Sequence, residues 1–273
     1  NDNVIFNNKY YDSKKDRKDL KVDNKDFNFR ITLQNEENLS KENKRIKLLK
    51  NLFQDKKKTF RLINRNTFKN DDFPFNIDLS IVRQSKKSKT RNNKYVSTYT
   101  LQESNVFNNE FGYEIEIEFD NNTIKENNYE AEYLHNKLKS VIKFIVAGIQ
   151  ETNYPITFDN QMSIINEYFD IIKDDKSRKL KINSRHFIGP SSTTLQLENI
   201  IDNEDTNIPN ILDKYTITDK ADGLRKLLFI NEEGKLYLIN TQLKIQFTGT
   251  RIEEENYYNT IADGEHILHD KEG

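Results

Sequence analysis

The spacing of apolar positions changes along this chain, and with it the predicted element. Residues 1 to 25 are polar and charged with few periodic apolar positions. From Phe27 the stretch FNFRITL alternates, which predicts a strand. SKENKRIKLLKNL, residues 40 to 52, predicts a short helix with Ser40 as its N-cap. The runs KTFRLINRNTF, FNIDLSIVRQS, KYVSTYTLQES and GYEIEIEFD then predict strands in series, as in an antiparallel sheet or barrel. Two helices follow. Leu134, Leu138, Val141, Ile142, Ile145 and Ile149 share one helical face, and Met162, Ile165, Phe169 and Ile172 share another, with Tyr154-Pro155 breaking the run between them. Both stripes are expected to pack on the sheet. KDDKSRKLK, residues 173 to 181, is charged and aperiodic and predicts a domain boundary. Beyond it KYTITDK, LRKLLFI, KLYLIN and IADGEHIL predict further strands, with NEEG at 231 to 234 a hairpin turn.

The expected class is therefore α+β. An antiparallel sheet or β-barrel with flanking helices is expected over residues 1–175, and the start of a second antiparallel, β-rich domain over residues 176–273. Composition narrows the chemistry. Hydrophobic residues are only 34% of the chain, yet 17 Phe and 13 Tyr can supply a core. Lys+Arg 43 nearly cancels Asp+Glu 44, so an electrostatic site must come from local segregation of charge. The absence of Cys excludes disulfides and thiolate metal sites and fits a reducing compartment. No apolar run reaches the roughly 18 residues of a membrane span. The chain starts at Asn1 and stops just after a strand-like run, so a fragment of a longer polypeptide is expected.

Two stretches carry candidate chemistry. In GYEIEIEFD, Glu114, Glu116 and Glu118 project from one strand face, about 7 Å apart along the strand. On a wet sheet this is an ordinary amphipathic strand. Enclosed, the carboxylates would repel and need cations, and Mg²⁺ or Mn²⁺ with oxygen ligands would supply them. Arg61 and Arg65 share a face of their strand, Asp78 and Ser80 lie opposite Ile77, Leu79 and Ile81, and Arg83 follows. Acidic and basic groups facing one cavity suit a triphosphate with its metal. The basic loop with Lys86, Lys87, Lys89, Arg91 and Lys94 reads as solvated surface. The second stretch is TDKADGLRK, 218 to 226, which is either a charged Asp-Gly turn or the setting of a nucleophilic Lys220. None of the four histidines has metal-ligand company.

Together and in this order, the two constellations resemble the N-terminal part of a viral-type mRNA capping enzyme. In that family a tunnel-type RNA 5′-triphosphatase is joined to a guanylyltransferase. The closest flavour is that of large cytoplasmic DNA viruses and yeast linear plasmids. The resemblance covers about residues 27 to 273. It implies Glu114, Glu116 and Glu118 as metal ligands for Mg²⁺ or Mn²⁺, and Arg61, Arg65 and Arg83 as phosphate ligands, with Asp78 on the same strand as Arg83. KADGLR matches the nucleotidyltransferase signature, and ADGEHI supplies the second signature at Asp263, Gly264 and Glu265. FIGPSSTTL at 187 to 195 resembles the segment that precedes the lysine motif. This implies Lys220 as the catalytic nucleophile on GTP, and Asp222, Gly223, Arg225 and Glu265 as nucleotide-binding residues.

The implied partners are the RNA 5′ end and GTP, with room for a cap methyltransferase domain or subunit, in a cytoplasmic, viral-factory or virion setting and without a membrane. The sequence departs from the family in three places. The arginine that cellular members carry near Thr241, after the LIN strand, is missing. An arginine usual near Asn76 is missing, and no Glu-x-Glu pair precedes Phe27, since Glu36 and Glu37 are adjacent and point to opposite faces. The missing pair is expected upstream of Asn1, and the later transferase motifs beyond Gly273. Rival readings are an ATP-dependent polynucleotide ligase, a non-catalytic scaffold binding RNA ends, and a tunnel enzyme acting on nucleotides or polyphosphate.

Overall fold

The computed structural model describes residues 4–14, 16, 20–88, 94–172, 184–189, 194–202, 208–212, 215–217 and 220–268. In chain order the elements begin with β1 (Phe6–Tyr10), β2 (Lys21–Asn24), β3 (Phe29–Thr32), β4 (Asn35–Leu39) and α1 (Lys44–Asn51). Next come β5 (Arg61–Lys69), β6 (Phe75–Gln84), α2 (Leu101–Ser104), β7 (Phe111–Phe119), α3 (Asn121–Glu126), α4 (Ala131–Gln150) and α5 (Phe158–Ile171). The last are β8 (Leu224–Ile230), β9 (Lys235–Asn240), β10 (Ile245–Arg251) and β11 (Thr260–His266). This is an α+β chain. Strand β1 pairs with β4 and β2 with β3, and the larger sheets run β5-β6-β7 and β10-β9-β8-β11, both antiparallel. Among the described residues no sheet closes into a barrel, and β5 and β7 are the free edges of theirs.

Two compact units divide the chain: Asn1–Asp23 with Arg30–Val141, and Asn24–Phe29 with Ile142–Gly273. Helix α4 runs from the first into the second. The charged segment 173 to 181, where the sequence places a boundary, lies outside the described residues. The stripe of α5 packs on the later sheet: Ile164, Ile165, Tyr168 and Phe169 meet Leu227, Phe229, Tyr237, Ile239 and Ile245. This is the main core of the second unit, and truncating one of its buried phenylalanines to alanine would cost about 3–5 kcal/mol.

Other local expectations shift for identifiable reasons. Residues 94 to 104 do not form a strand: Thr100 and Glu103 make a reciprocal capping box that starts α2, leaving only isolated bridges at Tyr95 and Thr98. Helix α1 begins at Lys44, not after Ser40, because Asn43 Oδ1 accepts from Arg45 N at 2.9 Å and caps it. The polar first segment forms β1 and β2, with β1 tied to β4 by its ladder and by the Lys9–Glu36 ion pair. Strand β10 escapes a pattern search because Thr248, Gly249 and Thr250 dilute its alternation, though Phe247 packs on Tyr237 with ring centroids 5.2 Å apart. Of KYTITDK, the described residues 215 to 217 are not in a strand.

Candidate functional site

The sheet β5-β6-β7 is turned inside out. Cross-strand pairing places Arg65, Ser80 and Glu114 in one row, Thr67, Asp78 and Glu116 in the next, and Lys69, Asn76 and Glu118 in a third. Paired residues share a face, so one face is polar along these three rows, up to the Ile63–Val82–Gly112 row that follows. In the middle strand the polar face is the buried one: Asp78 is 4% exposed and Ser80 3%, while Leu79 and Ile81 on the other face are 41% and 44% exposed. A solvated amphipathic strand shows the reverse.

Within that face the charges are paired. Arg65 Nη1 lies 2.7 Å from Asp78 Oδ2, its Nη2 donates to Glu116, and its Nε donates to Ser80 Oγ at 3.1 Å. Thr67 Oγ1 donates to Asp78 Oδ1 at 2.6 Å. Arg61 donates to Glu114, which also accepts from Gln84 Nε2 at 3.2 Å. Arg83 stands on the opposite face, its guanidinium donating to the Phe107 carbonyl and lying over the Phe111 ring. The structure thus brings together Arg61, Arg65, Glu114, Glu116 and Glu118, and leaves Arg83 apart from them.

Carboxylate oxygens of Asp78, Glu116 and Glu118 lie within 4.8 Å of one another. Glu114 is not in that group. Asn76 Oδ1, the register neighbour of Glu118, is buried with no hydrogen-bond partner. Three carboxylates and an unpartnered amide oxygen are a hard donor set, which fits Mg²⁺ or Mn²⁺. Glu116 and Glu118 also raise the affinity of Lys9 for its proton, after the larger effect of its hydrogen bond to Glu36. The sequence gives no signal for Lys9, which lies in a segment without periodicity. Ser80 shares the face of Asp78 by sequence alternation, whereas Thr67 is legible only once the strand register is known.

The second unit assembles another set. Tyr168, fully buried in the α5 core, donates to the His186 carbonyl at 2.8 Å and accepts from Ile188 N at 2.9 Å. This fixes Phe187 and Gly189 beside β8, where the Arg225 guanidinium lies over the Phe187 ring at 5.5 Å. Arg225 makes a two-pronged contact with Asp263, Nε to Oδ1 at 3.0 Å and Nη2 to Oδ2 at 2.7 Å. That fork holds the Asp263 carboxyl below the usual range and the guanidinium above its own. A Cβ on Gly189 would come within 2.5 Å of Arg225 Nη2 and 3.0 Å of Asp263 Oδ2, so only glycine fits there without moving the fork. Glu265 pairs in register with Arg225 across the β8–β11 ladder.

Gly223 precedes β8 where a Cβ would meet the His266 carbonyl oxygen at 2.8 Å. Lys220 and Asp222 are exposed just before it. One neighbour was not foreseen: Lys226, buried, donates to Gln246 Oε1 at 2.6 Å and lies 2.9 Å from His266 Nδ1. Burial lowers the proton affinity of both Lys226 and His266. His269 and residues 190 to 193 of the FIGPSSTTL segment lie outside the described residues.

No helix among the described residues is long and apolar enough to cross a membrane. No protein-family model matches the chain, and no solved structure matches it. Over 132 residues the chain is 31% identical to the "Probable mRNA-capping enzyme" of Acanthamoeba polyphaga mimivirus. Those residues are 48% of this chain, which spans about a tenth of the viral protein, 10% of its length. What the sequence is similar to, across that half, is a capping enzyme.

Proposed function

We propose that the chain carries two sites of an mRNA-capping enzyme, an RNA 5′-triphosphatase on β5-β6-β7 and a guanylyltransferase around Lys220. The observation that carries the reading is the polar face, buried along β6 at Asp78 and Ser80, on which Arg61, Arg65, Asp78, Glu114 and Glu116 pair while Leu79 and Ile81 on the other face are exposed. On this reading the open sheet is one wall of a triphosphate tunnel in the whole protein. Asp78, Glu116 and Glu118, with Asn76 Oδ1, would hold Mg²⁺ or Mn²⁺, whose charge neutralises phosphate oxygens when bound. Arg61 and Arg65 would exchange their carboxylate partners for β- and γ-phosphate oxygens. Water attacks the γ-phosphorus, the β–γ anhydride bond breaks, and phosphate leaves from an RNA that now ends in a 5′-diphosphate.

In the second unit, the Lys220 amine gives up its proton to solvent and attacks the α-phosphorus of GTP, forming a P–N bond as pyrophosphate departs. The diphosphate RNA end then attacks the same phosphorus. The P–N bond breaks and the lysine is released. The Arg225–Asp263 fork, backed by Gly189 and Phe187, orients the guanidinium toward ribose or phosphate, with Glu265 beside it for a ribose hydroxyl. Two assays test this on the full-length protein. Incubation with α-labelled GTP and Mg²⁺ should label the protein covalently, and Lys220→Ala should abolish the label. Glu116→Gln should stop phosphate release from triphosphate RNA and leave the GMP label intact. Labelling by ATP in preference to GTP would turn the second site into that of a polynucleotide ligase.

A further inference from the structure

A cleft of about 570 Å³ opens at the β6–β7 end of the polar face. It begins at the Val82–Gly112 pair, the row next to Ser80 and Glu114, and continues past Gln84, whose amide bonds Glu114. A Cβ built on Gly112 would meet nothing within 4 Å, so the strand leaves open space there. Val82 lies four steps along the strand from Asp78, about 13 Å. That leaves room for a triphosphate between the carboxylates and the cleft.

The cleft walls differ in chemistry from the phosphate site. Tyr95 lines it, 40% exposed, with Lys87 Nζ 5.4 Å from its ring centroid, and Lys86 stands beside them. Asn109, also lining it, donates Nδ2 to the Gln84 and Ser104 carbonyls at 2.7 and 3.2 Å, which fixes the amide. Its Oδ1 is left buried without a partner. An aromatic face, two cations and an orphan acceptor match a base to stack, a phosphodiester to hold and an N–H or ribose hydroxyl to satisfy.

We infer that this cleft receives the first nucleoside of a 5′-triphosphate RNA and the phosphodiester that follows it. The triphosphate then runs along the sheet toward Asp78, which fixes the polarity of the substrate on β6. The inference rests on the triphosphatase reading above and adds what that reading lacks, a means of telling an RNA end from bare polyphosphate or a free nucleotide. Lys86 and Lys87 thereby acquire a role that their surrounding basic loop does not suggest.

The test uses the full-length protein and three probes: a fluorescent pentanucleotide with a non-hydrolysable 5′-triphosphate, the matching mononucleotide analogue, and tripolyphosphate as competitor. Gly112→Phe, which fills open space, and Tyr95→Ala should each weaken the pentanucleotide roughly tenfold. Both should leave tripolyphosphate unchanged and keep the parent's melting temperature. Lys86→Gln with Lys87→Gln should remove the advantage of the pentanucleotide over the mononucleotide and lower the salt slope by about 0.7 per lysine. Unchanged RNA affinity in all three, with Arg65→Ala still weakening it, overturns the cleft and spares the phosphate site. Equal losses for RNA and tripolyphosphate in Gly112→Phe also overturn it. Failure of the parent to bind either probe overturns the underlying reading and the inference with it.

Discussion

Arg65 is the cation paired with both Asp78 and Glu116 on the polar face of β5-β6-β7, and replacing it by methionine keeps an unbranched apolar stem while removing the charge. Its Nη1 lies 2.7 Å from Asp78 Oδ2, an attraction of about 6 kcal/mol at an effective dielectric of 20. Without it, the carboxylate oxygens of Asp78, Glu116 and Glu118, within 4.8 Å of one another, repel by about 3.5 kcal/mol per pair on the same footing. Water screens part of this, because the Arg65 side chain is 33% exposed although that of Asp78 is only 6%. Breaking a buried pair costs about 3–5 kcal/mol and losing an exposed one under about 1, so Arg65→Met should lose about 2–3 kcal/mol.

Urea unfolding in EDTA measures that loss. Adding Mn²⁺ should then restore more stability to the variant than to the parent, since the guanidinium no longer competes for the same oxygens. Saturation at a hundredfold excess over Kd is worth about 2.7 kcal/mol. In the double variant with Asp78→Asn the losses should fall well short of additive. An unfolding midpoint equal to that of the parent would refute the idea that a shielded carboxylate cluster needs this guanidinium.

The second unit gives three further expectations. Gly249 has φ +80° and a Cβ there would come within 2.4 Å of the Tyr154 ring, so Gly249→Ala should cost about 2–4 kcal/mol in thermal unfolding from strain and overpacking together; a melting curve equal to the parent's would contradict it. Gly189→Ala meets only the ends of flexible side chains, so it should cost about 1 kcal/mol or less yet lower the rate of GMP labelling at least tenfold; unchanged labelling would remove the fork from the site. Asp263, whose folded pKa the Arg225 guanidinium holds below the ordinary aspartate value, contributes stability that is fully present above the ordinary value and lost as pH falls through the depressed one. Asp263→Asn should therefore flatten the loss of melting temperature between about pH 5 and pH 2, and parallel acid profiles for variant and parent would count against the pair.

Alternation made β3, β6 and β7 readable, and short strand-forming runs between turn signals did the same for β5, β8, β9 and β11, because both depend only on local residues. It could not say which face of β6 was inward. Hydropathy would put Leu79 and Ile81 inside, and only the column of glutamates hinted otherwise. Lys9, Glu36 and the β1–β4 ribbon were illegible because their pairing rests on backbone ladders and an ion pair, neither of which has a period. The stripe of α5 was visible as a stripe, but its partner was not: a helical face names no neighbour, and the matching surface of Leu227, Phe229 and Ile239 begins some 55 residues after the helix ends, on the order of ten times the usual connection. The two signatures that carry Arg225 and Asp263 were legible as motifs, whereas the fork that joins them and the hold of Tyr168 on the segment before Gly189 depend on strand register and tertiary packing.

The inverted sheet also reverses the ordinary guide to tolerance. In most proteins a designer may soften surface leucines and must leave interior ones alone. Here, replacing Leu79 or Ile115 by threonine should improve handling of the isolated chain, while the outwardly conservative Ser80→Val would strip Arg65 of an anchor in a place where hydrophobicity scales would have recommended it.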